Sequence, residues 1–233
     1  MQDKKIVTLI DSDSLIHRAQ WRNTFREAIV KLDQDIEDVI IGTYADKYRV
    51  AVKNTDGSNF RKDLLPTYKI HRNRSVALEH QLSALIRHLV KEWDAEKAIG
   101  QEADDLVVQW QREELAKGEY IPIIASIDKD LLTHSGTHYR MGERKIIYNT
   151  PEYAHYFFHL QLLMGDPGDG IKGLPGVGPV GAEKILEGVD PGAYRQTVIA
   201  SYKTKFGKDW KEQLQLNGDL LFIRPKKGVG FII

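Results

Sequence analysis

Ten carboxylates fall at places where a chain can gather them. Asp11 and Asp13 follow the β-branched run Ile6 to Ile10, and Asp56 follows the strand-like Arg49 to Val52. Glu102, Asp104 and Asp105 open a helical pattern, Asp128 and Asp130 close the apolar run 121–127, and Asp166 and Asp169 lie in a glycine-rich stretch. In an open parallel sheet the carboxyl ends of the strands share one edge, where ligands bind. Acids crowded there would raise one another's pKa unless cations sat among them. Hard oxygen ligands suit Mg²⁺ or Mn²⁺. Two such ions roughly 4 Å apart make a phosphodiester-cleaving site. Each cluster has a plainer use. Glu102, Asp104 and Asp105 favour a helix N-terminus through its dipole, Asp128 and Asp130 can cap a helix, and Asp56 can be a turn residue. Recurrence at one edge, from four segments, favours metal.

Two further segments point to a polyanion. Gly173-Leu-Pro-Gly176-Val-Gly178-Pro, followed by helical AEKIL, suits a tight hairpin between two helices. Such a hairpin presents backbone N–H groups that can hold a phosphate without reading bases. The segment 60–74, FRKDLLPTYKIHRNR, carries Arg61, Lys62, Lys69, Arg72 and Arg74 against Asp63 alone. Phe60 and Tyr68 add faces on which an unpaired base can stack. His155 and His159 have metal-ligand spacing, but no HExxH pattern accompanies them and their aromatic neighbours indicate packing.

The elements that must position these residues are legible as periodicity. Strand-like runs at 6–10, 49–52, 97–99, 121–127 and 144–148 alternate with helical patterns at 24–41, 76–93 and 102–117. That alternation predicts an α/β fold with a mostly parallel sheet flanked by helices. A boundary is expected near residue 150, followed by a small helical module and a C-terminal stretch that packs as a strand or tail. The 233 residues carry 33 basic and 33 acidic side chains, so bulk charge does not mark a nucleic-acid binder, and the absence of cysteine excludes disulfides and thiol chemistry. No run approaches roughly 18 apolar residues and the N-terminus lacks a signal-peptide pattern, so a soluble cytoplasmic protein is expected.

Taken together, LIDSDSL at 9–15, FRKDLLPTYKIHR at 60–72, EADD at 102–105, SIDKDL at 126–131 and GDPGDGIKGLPGVG at 165–178 resemble the 5′-nuclease superfamily. That group comprises the flap endonucleases and 5′–3′ exonucleases of bacteriophages and of bacterial DNA polymerase I, and the resemblance covers about residues 6–200. It implies a PIN-like, resolvase-like catalytic domain over 1–150 with a short arch near 61–93. Residues 151–233 would form a helix–hairpin–helix DNA-binding module and tail. The implied activity is Mg²⁺-dependent, structure-specific hydrolysis of DNA near 5′ ends, flaps or nicks, in a bacterial cell or phage-infected bacterium, with RNA–DNA hybrid as a further substrate. Asp11, Glu102, Asp104 and Asp128 match the ligands of a first metal ion. Asp130, Asp166 and Asp169 match those of a second, with Asp105 close by and Asp56 in a place some phage enzymes fill with an acid. Tyr68, Lys69 and Arg72 match the segment that steadies the scissile phosphate. Arg61, Lys62, Arg74, Gly173, Gly176, Gly178 and Lys184 would contact DNA, where some members also bind K⁺ through backbone carbonyls. The chain departs from the usual pattern in reading Val52-Lys53-Asn54 after the second strand and Val180 after the hairpin proline. Two other readings stay open: a non-catalytic DNA-binding module, and a phosphatase using Asp11-Ser-Asp13.

Overall fold

The computed structural model describes residues 4–22, 24–70 and 76–233. The chain begins with β1 (Lys5–Asp11), then α1 (Asp13–Ala19), α2 (Phe25–Thr43), β2 (Lys47–Lys53), α3 (Phe60–Leu64) and α4 (Val76–Glu92). It continues with β3 (Glu96–Ala98), α5 (Ala103–Lys117), β4 (Tyr120–Ser126), β5 (Gly136–Arg140) and β6 (Lys145–Asn149). The strands form one sheet in the order β3-β2-β1-β4-β5-β6, parallel except for the last pair.

β1 is central because it is apolar on both faces, as a strand covered by helices on either side must be. Successive residues point to opposite sides. Ile10 packs with Leu15, Leu32 and Leu85 beneath α1, α2 and α4, while Leu9 packs with Val107 and Trp110 of α5. α2 starts where its capping box dictates. Thr24 Oγ1 accepts the Glu27 N–H at 3.1 Å, and Glu27 Oε2 accepts the Thr24 N–H at 3.3 Å. Neither the short α1 nor β5 was evident in the sequence. The run expected at 144–148 is β6, but it turns back antiparallel on β5, so the parallel sheet ends one strand earlier.

Beyond residue 150 lie α6 (Pro151–Met164), the small ladder β7 (Gly165–Asp166) with β8 (Ile171–Lys172), α7 (Pro179–Leu186), α8 (Tyr194–Phe206) and α9 (Trp210–Leu221). These share their own apolar cluster, centred on Leu162, Leu163, Val198 and Tyr202. The Tyr202 hydroxyl donates to the Leu162 carbonyl at 2.7 Å and accepts from Asn217 at 2.8 Å. His155 and His159 pack with Tyr194, and His159 bonds the His155 carbonyl at 2.8 Å.

The last residues form no strand. They run as an irregular tail that returns to the sheet. Ile223 joins the α5 cluster, and the Arg224 carbonyl accepts from Gln109 at 3.2 Å. Among the described residues, no helix is long and apolar enough to cross a membrane.

Candidate metal centre

The carboxyl edge of β1, β3 and β4 opens into a cleft of about 780 Å³ lined by Asp11, Asp13, Glu102, Asp104 and Asp128, with Tyr68 and Lys69 over them. Each acid is placed by the end of an element. Asp11 is the last residue of β1, Glu102 is the N-cap of α5 with Asp104 in its first turn, and Asp128 follows β4. Ser126 ties two of these together: its hydroxyl donates to Asp11 Oδ2 at 2.8 Å and accepts the Asp128 N–H at 2.9 Å. Asp128 Oδ1 in turn accepts the Asp130 N–H at 2.9 Å.

A second set stands beside the first. Asp130, Asp166 and Asp169 each offer a carboxylate oxygen, all within 4.8 Å of one another. The ladder β7–β8 makes this possible by folding Asp166 and Asp169 back toward the 3₁₀ turn that carries Asp130. Its two strands approach so closely that a Cβ on Gly165 or Gly173 would overlap the other's backbone. Gly173, expected to contact DNA, is therefore required by the hairpin's own packing. Gly176, at φ 77°, and Gly178, the N-cap of α7, remain exposed together with Lys184.

Tyr68 and Lys69 join the two sets. The Tyr68 hydroxyl lies 2.8 Å from Glu102 Oε2 and 3.1 Å from Asp169 Oδ2, so one proton is shared between two carboxylates. Lys69 Nζ lies 2.5 Å from Glu102 Oε1 and 3.3 Å from Asp169 Oδ2. Its loop is fixed by the Lys69 N–H, which donates to the Asp169 carbonyl at 3.0 Å.

The electrostatics show how much negative charge is packed here. Burial, reinforced by Asp13 and Asp128 and opposed by the Ser126 hydrogen bond, pushes Asp11 up to about 7. Burial, with Asp128, Asp166 and Asp169, pushes Asp130 up to about 7 as well. Burial also raises Asp104, beside Asp105 and Glu102. Glu102 behaves oppositely. Burial opposes its ionisation, but Lys69 and Arg61 outweigh that and bring it down to about 2. Burial would lower Lys69, yet Glu102 and Asp169 hold it above the usual lysine range. Clustered oxygens that resist joint ionisation are the donor chemistry of a small hard cation. Asp11, Glu102, Asp104 and Asp128 could hold one ion, and Asp130, Asp166 and Asp169 a second.

Several expected residues are placed elsewhere. Asp105 is fully buried, and its carboxylate is taken up by Arg61, by the Arg224 N–H at 2.7 Å and by the Glu102 N–H at 3.0 Å. It is a structural anchor beneath the cleft, with no oxygen left for metal. Arg61, expected on the DNA face, is the other half of that anchor. Its guanidinium bonds Asp105 at 2.6 and 3.0 Å and the Leu220 and Phe222 carbonyls at 2.8 and 3.1 Å. Asp56 stays on an exposed turn, where Oδ1 accepts the Ser58 N–H at 2.7 Å; its neighbours Asn54, Gly57 and Ser58 line the cleft but Asp56 itself does not. Lys62 lines the cleft mouth. Arg72 and Arg74 lie outside the described residues.

Sequence reasoning grouped Asp13 with the edge acids but gave it no place among the ligands, and it left out Ser126 and Gln161. Asp13 lines the cleft while accepting the Lys53 N–H at 3.0 Å, and its place two residues after Asp11 was the available signal. Ser126 sits two residues before Asp128, the spacing of a side-chain turn. Gln161 is a lone amide in an apolar helix, donating to Asp130 Oδ1 at 2.7 Å.

The chain is 28% identical over 176 residues to DNA polymerase I of Rhizobium leguminosarum, covering 70% of this chain and 17% of the polymerase. It is 26% identical over 195 residues to a 5′-3′ exonuclease of Mycoplasmopsis pulmonis, covering 76% of this chain and 65% of that protein. In fold it is similar to the bacteriophage T5 D15 protein crystallised with metal ions, at a TM-score of 0.69 and 18% identity, over 94% of this chain and 87% of that one. The catalytic core of Rad2 in complex with a DNA substrate superposes at 0.55 and 12% identity, over 98% and 83% of the two chains. Residues 6–154, spanning the whole sheet and most of the acids described above, match the 5′-3′ exonuclease N-terminal resolvase-like domain, and the chain belongs to that family.

Proposed function

We propose that the protein is a structure-specific, divalent-metal-dependent 5′-nuclease hydrolysing DNA phosphodiesters near 5′ ends, flaps or nicks. Membership of the exonuclease family supports this reading. The observation that carries it is the carboxylate set lining the cleft, joined through Tyr68 and Lys69 to the second set beside it. Two Mg²⁺ ions, replaceable by Mn²⁺, would supply there a water made nucleophilic near neutral pH and charge neutralisation at the leaving oxygen.

The chain's own residues set the rest. Asp11 and Asp128, held in register by Ser126, orient one set, and Gln161, Asp166 and Asp169 frame the other around Asp130. Lys69 stays protonated throughout the working pH range and lies where a non-bridging phosphate oxygen would enter between the sets. Arg72, three residues on, would add a second cation. Tyr68 holds Glu102 and Asp169 in place through its hydroxyl. No serine or histidine nucleophile is needed.

In this reading residues 1–150 form the catalytic domain and 151–233 the helix–hairpin–helix module and tail. Gly176, Gly178 and Lys184 present an exposed turn and cation to a duplex backbone, a contact that carries no base readout. Carbonyls of the same turn are the place for a K⁺ ion. The crystallised relatives with metal ions and with DNA support the choice of cofactor and partner.

The test is release of product from 5′-labelled flap, nicked and blunt duplexes with Mg²⁺, Mn²⁺ or EDTA, comparing wild type with Asp128→Ala. Cleavage confined to wild type with divalent ions is expected. Tight DNA binding without turnover in either metal would instead favour a non-catalytic module.

A further inference from the structure

Gln161 is an unexpected residue in its surroundings. It lies on α6 between Leu160 and Leu162, is 1% exposed, and occupies a place that a Leu or Met would fill without leaving polar atoms to satisfy. Its Nε2 donates to Asp130 Oδ1 at 2.7 Å, while its Oε1 is buried without a hydrogen-bond partner. A buried carbonyl left in that state is destabilising, because its desolvation is not offset by a new hydrogen bond. Among the described residues, the one side-chain hydrogen bond of this amide is thus with a carboxylate of the Asp130, Asp166 and Asp169 set.

We propose that Gln161 is a positioning residue for the second-ion site. Its amide holds one oxygen of Asp130 and leaves the other for the ion, while the Asp128 carboxylate fixes Asp130 from the backbone side. A neutral donor suits this task. A lysine or arginine there would add a positive charge against a cation, and an aliphatic residue would let the carboxylate rotate away. Groups that orient metal ligands in this manner typically change affinity by roughly 10–100-fold when removed.

The inference rests on the proposed function, because it takes the triad as an ion site. Mn²⁺ binding to the full chain, followed by the loss of the free-ion electron paramagnetic resonance signal, tests both separately. The variants are Gln161→Met, Gln161→Asn, Asp130→Ala and the Gln161→Met/Asp130→Ala pair, with thermal unfolding of each in EDTA. Two binding classes are expected for wild type, with one weakened roughly 10–100-fold in Gln161→Met and Gln161→Asn. The metal-free stability of Gln161→Met should hold or rise, since the orphan carbonyl goes with the amide. In the Asp130→Ala background, Gln161→Met should change Mn²⁺ binding no further.

If Asp130→Ala loses one class while both Gln161 variants bind like wild type, the positioning role is overturned and the ion site stands. Unaltered binding by Asp130→Ala overturns the ion site itself. An additive loss in the double variant, or a fall in metal-free stability with unchanged Mn²⁺ affinity, shows Gln161 to be merely structural. Should Gln161→Met fail to fold, Gln161→Asn, which keeps the amide but falls one methylene short, decides between the same outcomes.

Discussion

Arg61 and Asp105 meet through two hydrogen bonds, of 2.6 and 3.0 Å, in a place almost closed to solvent. Arg61 belongs to α3, Asp105 to the first turn of α5, and the same guanidinium reaches the carbonyls of Leu220 and Phe222. Glu102 is drawn into the group, at 3.5 Å from Arg61. An acid of the cleft lining is thus held by a pair that faces inward.

Removing one partner should be severe. Arg61→Met or Asp105→Leu alone leaves a buried charge unpaired, which costs about 3–5 kcal/mol. The double substitution removes both charges and should restore a large part of that loss. Urea unfolding of the two single variants and the double variant checks this. Single variants within about 1 kcal/mol of wild type would show the pair to be dispensable.

The crowded acids predict a pH-dependent effect of metal. Asp130 has an ordinary pKa of 3.8 when unfolded and one raised to about 7 when folded. The folded state therefore holds more protons between those values, and this stabilising contribution is full below 3.8 and lost as pH rises through 7. Asp11 behaves in the same way. Thermal unfolding in EDTA should show Asp130→Asn gaining on wild type as pH rises from 5 to 8, by on the order of 2 kcal/mol at the upper end. Over the same range the stabilisation of wild type by Mg²⁺ or Mn²⁺ should grow. A gain independent of pH would contradict the repulsion described for these carboxylates.

Gly173→Ala and Gly176→Ala should differ although they lie three residues apart. A Cβ at 173 would run into the backbone of Gly165 and Met164, whereas the space around 176 is open and only its left-handed backbone is at stake. The first should cost at least about 2 kcal/mol and displace Asp166 and Asp169. The second should cost about 1–2 kcal/mol. Thermal unfolding beside Mn²⁺ titration separates them, because only Gly173→Ala should also weaken ion binding.

Tyr68→Phe removes the hydroxyl shared by Glu102 and Asp169 while keeping the ring. Hydrogen bonds to charged groups contribute about 1.5–3 kcal/mol, so metal-free stability should fall by that order. The two acids lose their common restraint, and cleavage of a 5′ flap should slow at saturating DNA. Wild-type stability and rate in this variant would mean that Lys69 alone joins the sets.

Much of this site could be read along the chain because the fold uses simple rules. β1 is apolar on both faces and ends at an acid, and α2 begins at a capping box, so both are local facts. β5 escaped notice because GTHYR has little apolar character; it is a strand only because β4 and β6 flank it. Arg61 counted as a surface cation for the same reason. Its partners lie 44, 159 and 161 residues away, and no window of sequence joins them. Gln161 had only its polarity within an apolar helix to mark it, since Asp130 stands 31 residues earlier.

The returning tail has a consequence for biogenesis. On the ribosome Asp105 is made more than a hundred residues before Leu220 and Phe222. Until then the arginine anchor lacks two of its acceptors, and the acids above it are borne on an unfinished support. Domains generally fold as units during synthesis, N-terminal parts first. Here the acid-bearing edge waits on a distant segment, so a nascent chain would complete the support of these acids only after Leu220 and Phe222 have been made.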